Sequence, residues 1–133
     1  MAAVVERIWQ RYGLPVFGFH PISHPHYQDV PWHSTNLDQF IAWVRGVAAF
    51  IGTDSAAIHL AAGFDVPTLA VFVSIDPMLR ARDYPKCATP DLRNEWTNGL
   101  HASDDLVLRQ EVRHIWQALL KRPHLPWPAH ASE

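Results

Sequence analysis

The run Phe50-Ile51-Gly52-Thr53-Asp54-Ser55-Ala56-Ala57-Ile58-His59-Leu60-Ala61-Ala62 gathers, within a few residues, the groups that bind an anion beside a polyol. If an apolar strand ends near Ile51 and a helix begins near Ser55, the first-turn amides of Ser55, Ala56 and Ala57 have no intrahelical acceptor and favour a negative group such as a diphosphate. Gly52 lets the chain turn sharply between strand and helix, and the small side chains of Ala56 and Ala57 let a ligand approach the backbone. The Ser55 hydroxyl adds a donor for a phosphate oxygen. One turn further along the same face, His59 is placed to support that anion or to orient Ser55. A carboxylate repels phosphate, so the useful role for Asp54 is to accept hydrogen bonds from sugar hydroxyls beside it.

The neighbouring pattern supplies elements to hold these residues. Val47 to Ile51 is a continuous apolar run, as expected of a strand covered on both faces in a parallel sheet. The segment from Ser55 to Gly63 reads as a helix and Thr68 to Val73 as a second buried strand, together a strand–helix–strand crossover. In such a sheet ligands collect beyond the carboxyl ends of the strands. Upstream, Val4, Val5, Ile8, Trp9 and Tyr12 recur at helical spacing over residues 3–12, stopped by Gly13 and Pro15, and Val16 to Phe19 reads as a short strand. Prolines 21, 25 and 31 leave residues 20–33 irregular apart from a brief extended piece at Val30 to His33. Thr35-Asn36 offers an N-cap, with Asp38 completing a capping box from Thr35, for a helix carrying Leu37, Phe40, Ile41 and Val44 and ending at Gly46. Residues 74–102 have no period and read as an irregular excursion. Ser103 is the expected cap of a last helix with Asp104 and Asp105 in its first turn and Leu108, Val112, Ile115 and Leu119 on one face. The expected fold class is α/β, a short parallel Rossmann-like sheet of three or four strands with helices on both faces, forming one domain over residues 1–122 and followed by a Pro-rich tail at 123–133.

Gly-x-Asp-Ser-x-x-x-His-Leu-Ala-Ala, followed by Val66-Pro67-Thr68 and an apolar strand, resembles the signature of glycosyltransferase family 9, found in the C-terminal donor-binding domain of ADP-heptose:lipopolysaccharide heptosyltransferases. The resemblance is specific over about residues 37–77. It implies the C-terminal half of a GT-B fold, an ADP-heptose type nucleotide-diphosphate sugar as donor, and an inverting attack by a hydroxyl of a lipopolysaccharide-type acceptor. The donor-binding set it implies is Gly52, Thr53, Asp54, Ser55, Ala56 and His59, with Asp54 on the sugar and Ser55, Ala56 and the helix amides on the diphosphate. Val73-Ser74-Ile75-Asp76-Pro77 falls where the family often carries a Gly-Pro-Thr-x-Pro type loop that closes over the site. Ala56 stands where many members have glycine. Family members place the acceptor site and the catalytic base on a preceding domain for which 133 residues leave no room, so the expectation is a half that is incomplete for catalysis alone. Its completing partner would be a separate acceptor-binding domain or a second copy. The alternatives are a stand-alone nucleotide or nucleotide-sugar binding module without turnover, and an interaction domain that has lost the ligand.

Composition narrows the classes. A formal net charge of -2, 48% hydrophobic and 18% charged residues describe an ordinary globular chain without the positive field that nucleic acid requires. No apolar run reaches the roughly 18 residues of a membrane span. The expected location is cytoplasmic, or peripheral at the inner membrane. No cofactor and no metal are implied, because the helix terminus takes the place of a cation at the diphosphate. His20, His24, His26 and His33 are interrupted by prolines and lack a zinc-site spacing. Cys87 has no base nearby in sequence. Trp96, Trp116 and Trp127 read as packing residues rather than sugar platforms, and Asp104-Asp105 as a helix start rather than a glycosidase dyad. The bland readings of the motif itself are a helix cap for Asp54 and Ser55 and a structural histidine for His59.

Overall fold

The computed structural model describes residues 2–30, 36–53, 55–99, 105–123 and 125–126. Several expectations lie outside the described residues: those for His33, Thr35, Asp54, Ser103, Asp104, Trp127 and most of the Pro-rich tail. The chain divides into two compact units, Met1–Phe40 and Ile41–Glu133.

In the first unit α1 (Ala2–Tyr12) buries Val4, Val5 and Ile8 on one face. Gly13, at φ 65°, closes the helix by donating its amide to the Trp9 carbonyl at 2.8 Å. Strand β1 (Val16–Gly18) pairs in parallel with β2 (Tyr27–Asp29), Val16 opposite Tyr27. The extended piece expected at Val30 to His33 lies, apart from Val30, outside the described residues, and strand β2 forms within the stretch read as irregular. The reason lies in Pro25 and Pro31, which bracket residues whose amides are all available for pairing. The Tyr27 hydroxyl donates to the His20 carbonyl at 2.5 Å and closes the intervening excursion. Within it, the His26 amide donates to Nδ1 of His24, leaving Nε2 to carry the proton toward Glu6 Oε2 at 2.7 Å. That bond, helped by one from Gln10, holds the Glu6 carboxyl below the usual range. His26 stacks on Trp9 with ring centroids 3.7 Å apart. Both histidines are therefore spent on local structure.

Helix α2 (Leu37–Arg45) starts with Asn36, whose side-chain oxygen accepts from the Gln39 amide at 3.1 Å. The cap expected of Thr35-Asn36 is supplied by its second member.

The second unit is built around a three-stranded parallel sheet in the order β3 (Phe50–Thr53), β4 (Thr68–Val71), β5 (Cys87–Ala88). Helix α3 (Ala56–Gly63) joins the first two strands. The ladder runs from Phe50 opposite Thr68 to Thr53 opposite Val71. Strand β3 thus begins three residues later than the apolar run suggested. Its first bond is from the Phe50 amide to the carbonyl of Pro67, which lies just ahead of β4. Phe72 extends the β4 line by a bridge to Asp91. The short β5, inside the excursion read as irregular, is paired through Thr68–Cys87 and Leu69–Ala88. With α3 and α4 (Leu106–Leu120) alongside short parallel strands, the α/β class holds. The cap of α4 is Asp105, which accepts from the amides of Val107 and Leu108, so this residue precedes the first turn instead of sitting within it. Along α4, Leu108, Val112 and Ile115 are half-buried and Leu119 buried, as their spacing predicts. Trp96 is 65% exposed and is not a core residue, contrary to expectation.

All four residues of β4 are buried. Ala70 and Phe72 share one face, and with Ile58 of α3 and Ala81 they form a core cluster against which Phe50, Ile75, Tyr84 and Cys87 pack. Gly52 is a strand residue with no positive φ, so its purpose differs from the sharp turn expected of it. A Cβ there would lie 2.8 Å from the Phe50 ring and 3.2 Å from Ile58 Cγ2. Glycine is required for close packing of helix on strand.

At its far end α3 closes with a left-handed residue. The Val66 amide reaches the Ala61 carbonyl and the Asp65 amide the Ala62 carbonyl, the two bonds of a Schellman motif. The left-handed position is held by Asp65 at φ 57°, where glycine is the usual occupant. Val66 and Ala61 are both buried beneath the turn.

Two stability changes of opposite sign follow. Gly52→Ala is expected to destabilise by about 1 kcal/mol, the low end for overpacking, because fully buried Ile58 cannot yield. In urea unfolding the Gly52→Ala/Phe50→Leu double variant should lose less than the sum of the single losses; strict additivity would show that the Phe50 contact is not the obstacle. Asp65→Gly should instead stabilise by about 0.5 kcal/mol, relief of the left-handed strain exceeding the backbone entropy of glycine, while Asp65→Ala should not.

Candidate functional site

The parallel register puts the carboxyl ends of β3, β4 and β5 on one side of the sheet. Three segments leave from that edge: Thr53 into α3, Val73 to Pro77 after β4, and Thr89 onward after β5. Thr53 and Asp91 stand at nearly the same level, one on each side of the β4 line, so about two strand spacings, roughly 10 Å, separate their backbones.

Of the expected donor-binding set, Gly52 and Thr53 end β3, Ser55 is the N-cap of α3, Ala56 its first residue, and His59 lies one turn on. Asp54 lies outside the described residues. Ser55 has extended backbone, φ -157° and ψ 167°, and its side chain makes no capping hydrogen bond. A serine at this position ordinarily turns its oxygen onto the second or third amide of the helix. Here the hydroxyl does not, and both Ser55 and Ala56 are exposed. Ser55 thus occupies the N-cap position without making the capping bond. The amides of the first turn remain outside the intrahelical ladder by construction.

His59 is half-buried, and its Nδ1 is hydrogen bonded to the Tyr84 hydroxyl at 2.7 Å. The two rings meet edge to face with centroids 5.7 Å apart. Helical side chains lean toward the N-terminus of their helix, the end at which Ser55 lies. Tyr84 belongs to the excursion between β4 and β5 and carried no signal in the sequence: nothing in an aperiodic stretch ties it to a histidine twenty-five residues earlier.

The second residue missed in the sequence is Arg93. Its guanidinium makes a two-pronged contact with Asp91, at 2.8 Å and 2.7 Å, donates to the Asn98 side chain at 3.1 Å, and lies 3.6 Å from Asp76. The hydrogen bond from Arg93 holds the Asp91 carboxyl below its ordinary range, and the same pair raises Arg93. Asp76 also caps the 3-10 turn Pro77–Leu79 by accepting from the Met78 amide at 2.9 Å. The expected closing loop is thus linked to the segment after β5 by a cation that two carboxylates already neutralise. This cluster ties loops together and offers little field to a phosphate.

Burial pushes the Cys87 thiol up, which keeps it protonated and disfavours a nucleophilic role. Among the described residues no three His, Cys, Asp or Glu side chains gather to hold a metal ion. Among the same residues no helix is long and apolar enough to cross a membrane.

No curated protein and no solved structure matches the chain. A family comparison does: residues 33–90, which contain α2, β3, α3, β4 and β5, match the model of glycosyltransferase family 9 (heptosyltransferase), consistent with a partial domain of that family and supporting a glycosyltransferase-like function.

Proposed function

We propose that the second unit binds a nucleotide-diphosphate sugar of the ADP-heptose type at the N-terminus of α3, as the donor half of a glycosyl transfer to a lipopolysaccharide-type acceptor. The observation that carries this reading is the exposed Ser55, whose hydroxyl makes no capping bond at the carboxyl edge of a parallel sheet, inside the segment that matches family 9. In the transfer, an acceptor hydroxyl attacks the anomeric carbon as the bond to the diphosphate breaks. Negative charge then grows on the leaving group, where donors fixed in advance lower the barrier. In this reading the first-turn amides and the Ser55 hydroxyl are those donors, and the Asp54 carboxylate accepts from the sugar hydroxyls. Loss of the acceptor proton requires a base, which the proposal assigns to a separate acceptor-binding domain or a second copy.

Calorimetric titration of the 133-residue chain with ADP and with an ADP-sugar tests the division of labour. Asp54→Ala should weaken the ADP-sugar by about 1 to 3 kcal/mol, the range for a hydrogen bond to a charged group, and ADP much less. Ser55→Ala should weaken both ligands equally and by about 1 kcal/mol or less, because the amides remain. Proline at position 56 removes an amide from the first turn, where its ring is tolerated, and Ser55 already has the extended backbone that a following proline demands. Ala56→Pro should therefore keep the far-ultraviolet circular dichroism of the parent while losing affinity for both ligands. Three folded variants that bind both ligands as the parent does would place the site elsewhere.

A further inference from the structure

We propose that Asn98-Gly99 is a site of spontaneous deamidation that the folded chain holds shut, and that its opening is governed by Arg93. Of the three asparagines in the sequence, Asn36 precedes leucine, Asn94 glutamate and Asn98 glycine. In the reaction the amide nitrogen of the following residue loses its proton to solvent base and attacks Cγ of the asparagine. The new N–Cγ bond closes a succinimide as the Cγ–Nδ2 bond breaks and ammonia leaves. Water then opens the ring at either carbonyl to give aspartate or isoaspartate. Glycine permits this most readily, because without a Cβ its nitrogen is unshielded and its backbone is free to reach the needed conformation. Asn98 and Gly99 are both exposed, so neither water nor base is kept from them.

Hydrogen bonding, not burial, stands in the way. The Gly99 amide, which must attack, donates to the Ser74 carbonyl at 2.6 Å. The Asn98 side chain, which must be attacked, accepts from Arg93 through its oxygen at 3.1 Å. Arg93 is itself fixed by its two-pronged contact with Asp91. The Asn98 amide donates to the Asn94 carbonyl at 3.0 Å. The Asn94 side chain accepts from the amides of Trp96 and Thr97 and donates to Glu111 of α4 at 2.6 Å. Gly99, at φ 81°, ends this turn. Nucleophile and electrophile are thus held by different partners, and ring closure requires the turn to open first. The rate then follows the population of the open form, as for other events gated by local opening. Opening has a lasting consequence. An isoaspartyl product inserts a methylene into the main chain ahead of Gly99, so the Gly99 amide cannot return to Ser74 in the same register and the loop after β4 loses that tie. The reaction needs no ligand, and so stands apart from the proposed function.

The test uses the intact chain in mildly alkaline buffer, with mass spectrometry of its peptides and an isoaspartyl methyltransferase assay as readouts. In strong urea Asn98 should deamidate while Asn36 and Asn94 stay intact over the same period, and Asn98→Gln should lose the signal. In the folded parent the reaction should be slowed by the factor by which the Gly99 amide is protected from hydrogen exchange. Arg93→Ala should raise both the rate at Asn98 and the exchange of Gly99 about ten-fold, the low end for loss of a hydrogen bond to a charged group, while the amides of β4 keep their protection. Equal rates in urea and in native buffer would show that the fold does not gate the reaction. Slower deamidation in Arg93→Ala would show that the guanidinium activates the Asn98 carbonyl instead of restraining it. Either result overturns the proposal. Should Arg93→Ala fail to fold, the parent decides alone: slowing that matches the Gly99 protection supports the gate, and slowing many-fold smaller overturns it.

Discussion

Strand β4 has neighbours on both edges and no exposed residue, and this burial is the constraint on which the second unit depends. A strand buried on both faces must have its amides and carbonyls paired, because an orphaned polar group in that environment costs on the order of 1 to 3 kcal/mol. Even its one polar side chain complies: the Thr68 hydroxyl donates to the Val66 carbonyl at 2.8 Å. The demand for partners on both sides explains β5. Two residues of an otherwise irregular excursion become a strand because β4 needs an edge there, with the Thr68 amide reaching the Lys86 carbonyl at 2.8 Å and the Leu92 amide the Phe72 carbonyl at 3.0 Å.

The same burial positions the site. Ile58, fully buried, is driven into the layer formed by Ala70 and Phe72, and it sits two residues into α3 from the first helical residue. Gly52 allows Ile58 to come that close to β3. The helix start is thus clamped between a strand on which it packs and a core residue in its own first turn. An eight-residue helix has too little intrinsic stability to hold its end in place. Tertiary packing does so instead, and Ser55 stays exposed beyond the clamp.

Much of this was legible in the sequence because it follows local rules. The apolar runs and the Gly-Thr-Asp-Ser junction between them point to strand, helix and strand without reference to the rest of the chain. What was not legible is pairing between distant residues. Strand β3 begins at Phe50 instead of Val47 because its first bond goes to Pro67, a partner that hydrophobicity cannot identify. Strand β5 is too short to show a period. Tyr84 acquires its role from His59, and Arg93 joins Asp91 to Asp76, through proximities that arise only when the excursion folds back. Thr35-Asn36 and Ser103 to Asp105 each offer several competent caps in succession, and packing selects which one starts the helix, Asn36 for α2 and Asp105 for α4.

The electrostatics of the carboxyl edge argue for backbone donors over cationic ones. Arg93, 25% exposed at its side chain, is engaged by Asp91 and approached by Asp76, and the pairing leaves no net positive charge in that cluster. An anion arriving from solvent would have to displace a two-pronged carboxylate contact to reach the guanidinium, exchanging one charge-assisted pair for another. Amides at a helix start carry partial positive charge of their own and require no cation to be released. They also suit the charge history of the proposed reaction. A diphosphate is already anionic when the donor binds and becomes more so as the glycosidic bond breaks, so donors that are fixed in place and need no reorganisation gain strength as the transition state forms. A mobile cation released from its own carboxylates at that moment would return part of the gain as the cost of separating the pair.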